Sequence, residues 1–264
     1  MTPQTNTATL AAIRKARTRL LVRHPFFGHL AMSMRLQVSV EGDAQVTQTM
    51  AVDGTSMFYN PAFVDSLTTK ELMSVIAHEV LHIAFRHHLR RGNRDPDVWN
   101  QAGDYAINGI LIRAGVFTLP DGGLYKARYE TWMAEKTYAE LIKQQPNDNP
   151  HDGEADDSEA DDSEADDSQA SGKAGSTSSK GPQQTHVGEV WDAVNDDGTG
   201  LNPAQIANAE RDISTRVAEA TQAEAAMIGN DSSNAVAGDV LKGQARVPIP
   251  WYQILQDYML DTVA

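Results

Sequence analysis

Residues 78–82 read His-Glu-Val-Leu-His, and this pentapeptide constrains the chain more than any other stretch. On a helix, residues four apart lie about 40° apart around the axis and about 6 Å apart along it. The His78 and His82 imidazoles therefore reach one point and suit a metal ion there, with Glu79 beside the coordination position left open. A carboxylate so placed can take a proton from metal-activated water. The flanks support a helix. Lys70 to Arg86 has helical periodicity, Thr68 and Glu71 are spaced as a capping box, and Gly92 is a natural stop. Apolar residues such as Leu72, Val75, Ile76, Val80, Leu81 and Ile83 cover almost the whole circumference, so the helix is expected to be buried. Burying two histidines and a glutamate is costly unless something satisfies them, and a metal does so. The alternative is a pair of core histidines bonded to backbone with Glu79 at the surface, which leaves the carboxylate unexplained.

Two routes lead to a third protein ligand. His88 falls ten residues after His78, the metzincin spacing, but Phe85 stands where those enzymes need a glycine to turn the chain. On a continuous helix His88 lies about 15 Å from His78 along the axis. His87 and His88 are therefore read with Arg86, Arg90 and Arg91 as a solvated basic helix end, favoured by the helix dipole. The second route is Asp104. A second helix is predicted from about Val98 to Ala114, with Asn100, Asp104 and Asn108 on one face and Ile107 and Leu111 flanking Asp104. In an antiparallel hairpin Asp104 lies about 10 Å from the turn and His82 about 13 Å, nearly level. The expected metal ligands are thus His78, His82 and Asp104 plus one water, the count of catalytic zinc. Asn100 and Asn108 are candidates for orienting a ligand, or ordinary packing polarity.

Three motifs together carry a resemblance: Asp53-Gly-Thr-Ser-Met-Phe-Tyr-Asn-Pro61, His78-Glu-Val-Leu-His82, and Trp99-Asn-Gln-Ala-Gly-Asp-Tyr-Ala-Ile-Asn108. They resemble a metallopeptidase-domain family of bacteria and phages, over roughly residues 10 to 145 and again from 186 to near Tyr252. The resemblance implies an α+β, zincin-like core: a small antiparallel or mixed sheet packed on the HExxH helix and a second ligand-bearing helix, with further C-terminal helices. It also implies Zn2+ at His78, His82 and Asp104, with Glu79 as general base. Such domains usually precede a von Willebrand factor A-like domain, often near genes for MoxR-type AAA+ ATPases, so an AAA+ partner is a further expectation. Longer relatives would continue past Ala264 into the A-like domain, making this chain either a short member or a fragment.

Composition narrows the setting. With 264 residues and 41% hydrophobic content the chain can bury one sizeable core. The absence of cysteine excludes disulfides and thiolate zinc sites, leaving histidine and carboxylate ligands. No apolar run is long enough to span a bilayer and no signal-peptide core is visible, so a cytoplasmic protein without a membrane partner is expected. The net charge of −14 is local in origin: Asp148 to Gln169 holds eleven acidic residues and neither Lys nor Arg. That stretch repeats Glu-Ala-Asp-Asp-Ser at 154–158, 159–163 and 164–168 and runs into a Gly/Ser-rich tract. It predicts a disordered insert over 146–185, a solubilising spacer, between a core of residues 1–145 and a C-terminal helical part, 186–264, that completes the same domain. Calcium binding by the repeat is the sharper idea, but the glycine and terminal glutamate of a calcium loop are missing. The acidity argues against nucleic acid as a partner.

The remaining elements are coarser. Leu10 to Arg23 reads as an amphipathic helix, and Phe26–Val40, Val46–Val52 and Ser56–Tyr59 as three strands with a turn at Glu41-Gly42-Asp43. The strand at Thr55–Asn60 is expected to line the cleft and pair with an extended peptide. Helices are predicted at Thr137–Gln145, Asn202–Ile228 and from Pro250. The implied chemistry is hydrolysis of a peptide bond in a protein or peptide substrate, with Glu79 moving the proton. An extra donor for the developing oxyanion is sought among Tyr105, Tyr129 and His186, Tyr105 being better explained as core packing. Two other readings remain: an inactive zinc-bearing interaction module working with an ATPase or other partner, and a metal hydrolase acting on a non-peptide bond. The intact Glu79 argues against the first.

Overall fold

The computed structural model describes residues 3–41, 46–115, 117–145, 188–195 and 197–228. The expected insert at 146–185, the turn residues Gly42 and Asp43, His186 and the helix from Pro250 lie outside the described residues. The elements run α1 (Pro3–Arg23), α2 (Pro25–Met32), β1 (Arg35–Val38), β2 (Met50–Val52), β3 (Ser56–Tyr59), α3 (Pro61–Ser66) and α4 (Thr69–Ala84). They continue as α5 (His87–Arg90), α6 (Pro96–Ala114), a short 3-10 turn at Ala127–Tyr129, α7 (Ala134–Gln144), β4 (Glu189–Val190) and α8 (Pro203–Ile228). Among the described residues no helix is long and apolar enough to cross a membrane.

Helix α4 is the axis of the molecule. Every residue from Leu72 to Ala84 is buried, as its apolar circumference predicts. It is packed by α1, α2, α6 and α8 and by strands β2 and β4. Its start is the expected capping box: Thr68 Oγ1 accepts from the Glu71 amide at 3.3 Å, and the Glu71 carboxylate accepts from the Thr68 amide at 2.8 Å. Thr68→Ala is expected to cost about 1 kcal/mol in a urea-unfolding series, because the Glu71 amide loses its acceptor.

The end of α4 departs from expectation. The helix does not run to Gly92; it stops at Ala84, with Phe85 as the cap and Arg86 left-handed (φ 58°, ψ 34°). That reversal swings α5 back toward the core. His87 and His88, expected in solvent, are instead 2% and 4% exposed, while Arg90 and Arg91 reach out to Glu135 and Asp192. Helix α6 then begins at Pro96, with Asp95 accepting from the Val98 amide at 2.9 Å, and ends at Gly115 in the left-handed region (φ 67°).

The sheet is mixed, in the order β1-β3-β2-β4, with β1/β3 and β2/β4 parallel and β2/β3 antiparallel. Two expectations change here. The first half of the run read as a strand is α2: Pro25 sits at its start, Phe26, Phe27, Leu30 and Ala31 are buried, and the strand is confined to Arg35–Val38. Strand β3, expected to receive a substrate, is enclosed between β1 and β2, so both its edges are already paired. Strand β4 joins the sheet beside β2, and α8 packs against α2 and α4.

Candidate metal centre

Helices α4 and α6 cross where α4 carries the pentapeptide and α6 carries Asp104. His78 Nε2 and His82 Nε2 are 3.0 Å apart, and Asp104 Oδ1 lies 3.3 Å from the first and 3.2 Å from the second. All three side chains are 2% exposed or less. This triangle has the dimensions of a coordination face: ligands at about 2.0–2.1 Å from a tetrahedral ion are about 3.3 Å from one another. Three acceptor atoms turned on one point repel unless a positive charge sits between them. Asp104 Oδ1 has no well-directed hydrogen-bond donor despite its two imidazole neighbours, and both oxygens of the fully buried Glu79 also lack partners. Orphaned buried carboxylate oxygens of this kind are what a bound cation compensates. The residues fit a metal ion.

The electrostatics agree with that fit. Burial lowers His82 to about 4, against the opposing pull of the nearby Asp104 carboxylate, so the imidazole is neutral and has a lone pair to give. Burial pushes Asp104 up, but the His78 and His82 imidazoles within 3.3 Å outweigh this and hold it below its ordinary value. Burial, then the Asp104 and Glu189 carboxylates, push Glu79 well above the ordinary carboxylate range.

Asn108, one turn beyond Asp104 on α6, fixes the His78 ring. Its Nδ2 donates to the Leu124 carbonyl at 2.9 Å, which turns its Oδ1 toward His78 Nδ1 at 2.9 Å. His78 then carries its proton on Nδ1 and faces the cluster with the Nε2 lone pair, the arrangement expected of an orienting partner. Asn100 does something else: its Oδ1 accepts from the Val190 amide at 2.8 Å and so ties β4 to α6. Tyr105 and Tyr129 pack edge-on against each other at 5.0 Å, both buried.

Two contributors have no counterpart in the sequence reading. His87, turned inward by Arg86, brings its Nδ1 to 3.1 Å from His82 Nδ1. Gly188, just ahead of β4, lies directly over the centre with φ 115°. A Cβ there would fall 2.5 Å from Glu79 Oε1 and 2.8 Å from His78 Nε2, so only glycine lets the backbone pass this close to the centre. No local sequence signal marks either residue, since each arrives through a tertiary contact.

The fold and centre together define a class: a mixed α/β protein with a buried His-His-carboxylate group able to hold a metal ion and an unpartnered carboxylate beside it. The chain belongs to the family described as "Putative metallopeptidase domain", whose profile matches residues 9–264. It is also similar to an uncharacterized protein of Thermotoga maritima, 25% identical over 122 residues, which is 45% of this chain and 30% of the relative. The similarity thus spans less than a third of that relative's length. No solved structure matches the chain.

Proposed function

We propose that the chain is a zinc-dependent peptidase of zincin-like design, with His78, His82 and Asp104 holding the ion and Glu79 as general base. The observation that carries this reading is the pair of buried, unpartnered Glu79 oxygens on the same helix as the converging Nε2/Nε2/Oδ1 triangle. Two imidazoles and one carboxylate at tetrahedral edge lengths favour zinc over calcium or magnesium, which take oxygen-rich sets. The ion, when bound, supplies Lewis-acid polarisation of the scissile carbonyl and a lowered pKa for water. Glu79 takes the proton from the attacking water on a carboxylate oxygen and passes it to the nitrogen of the leaving amine. Its desolvated surroundings bring its basicity nearer to that of the proton it must move.

The test is a metal-dependence experiment on the purified chain. Zinc content is expected near one per chain, with cleavage of an unfolded protein substrate lost on chelation and restored by stoichiometric zinc. Full cleavage by metal-free protein would overturn the proposal.

A further inference from the structure

We infer that His87 is a positioning residue for the metal centre: it accepts the Nδ1 proton of His82 and so fixes the tautomer and ring orientation of that ligand. This rests on the metal reading of His78, His82 and Asp104.

A neutral imidazole has one N–H and one lone pair. With the His82 Nε2 lone pair turned to the cluster, its proton is on Nδ1 and needs an acceptor. For His78 that acceptor is the Asn108 amide oxygen at 2.9 Å. For His82 it is His87 Nδ1 at 3.1 Å. Two ring nitrogens at this distance share one proton, so His82 donates and His87 accepts, placing the His87 proton on Nε2.

The surrounding fold is arranged around this contact. Left-handed Arg86 folds His87 back under α4. On the opposing helix, a Cβ at Gly103 would stand 2.9 Å from His87 Nδ1 and 3.2 Å from His82 Cε1, so α6 has no side chain where the two rings meet. The His87 ring stacks on Phe85 at 5.8 Å and meets Trp99 edge-on at 5.7 Å, and Trp99 Nε1 donates to the His87 carbonyl at 3.0 Å. The ring is thereby held against rotation.

Charge explains why an imidazole serves where a carboxylate is the common partner of a ligating histidine. Glu79 and Asp104 already bring two buried carboxylates, which balance one divalent cation. A further buried carboxylate in place of His87 would add negative charge with no cation left to balance it. Neutral His87 orients without adding charge.

The experiment measures zinc affinity of the full-length chain by competition with a chromophoric chelator. His87→Phe keeps the ring shape and removes the acceptor, and should weaken zinc binding about 10–100-fold. His87→Asn returns an acceptor oxygen near the Nδ1 position and should restore affinity to within a few-fold of wild type. A Phe variant that binds like wild type, or an Asn variant as weak as a folded Phe variant, would overturn the inference. A second readout needs no variant. In nitrogen-15 NMR of zinc-loaded wild-type protein, His82 Nδ1 should be protonated and His87 Nδ1 not, and the reverse assignment would also overturn it. Wild-type protein that takes up no zinc removes the metal reading and this inference together. Normal zinc uptake with an unaffected Phe variant removes only the role of His87.

Discussion

Glu79→Gln is expected to leave zinc bound and to lower kcat by about 10²–10⁴-fold, a loss of roughly 3–5 kcal/mol of transition-state stabilisation. Glutamine fills the same volume on the same helix, so nothing in the packing of α4 has to move. The three converging ligand atoms do not include Glu79, which is why metal content should persist. What disappears is the carboxylate whose two buried oxygens have no partner among the described residues, the proposed acceptor of the water proton. The loss should fall on kcat with KM little changed, because the carboxylate acts on a water rather than on the substrate's side chains. Zinc analysis beside steady-state cleavage of a fluorogenic peptide library measures both arms. A glutamine variant with wild-type kcat would show that the base lies elsewhere, and zinc lost with activity would make Glu79 a ligand.

The parts of this centre that were legible in the sequence are those set by helical geometry. A fixed turn and rise place His78 and His82 on one side of α4, and the same rise puts Asp104 level with His82 across a hairpin. Asn108 follows from the four-residue spacing on α6. The capping box at Thr68 is equally local. What escaped depends on contacts that no short window contains. The left-handed conformation of Arg86 has no residue signature, since such a turn normally calls for glycine or asparagine, and missing it sent His87 and His88 to the wrong environment. The apolar run from Phe26 suits a buried strand or a buried helix equally, and Pro25 at its head was the clue that favoured helix. The sheet order, which makes β3 central, and the arrival of Gly188 over Glu79 are set by strand pairing across more than a hundred residues.

Asp104→Ala is expected to abolish stoichiometric zinc uptake at only a modest cost to the metal-free chain. In the metal-free protein Asp104 is a buried carboxylate without a well-directed donor, beside a His82 that burial keeps neutral. Removing it gives back the cost of burying a carboxylate but loses the His78 and His82 imidazoles that hold Asp104 below its ordinary value, so the net change is small. In the presence of zinc the balance reverses. Any ligand that binds only the folded state adds RT ln(1 + [L]/Kd), about 4 kcal/mol at a thousand times Kd, and an alanine at one of three ligand positions forfeits most of that. Thermal unfolding of wild type should thus rise by roughly 8–16 °C on adding zinc, while the alanine variant stays where it was. Asp104→Asn, which keeps the shape but weakens the donor, should fall between them. A purely structural role for Asp104 gives the opposite pattern: both variants would lose several kcal/mol without metal, and zinc would shift all three proteins alike. The two patterns differ both without metal and on adding zinc, and so the third ligand can be decided without an activity assay.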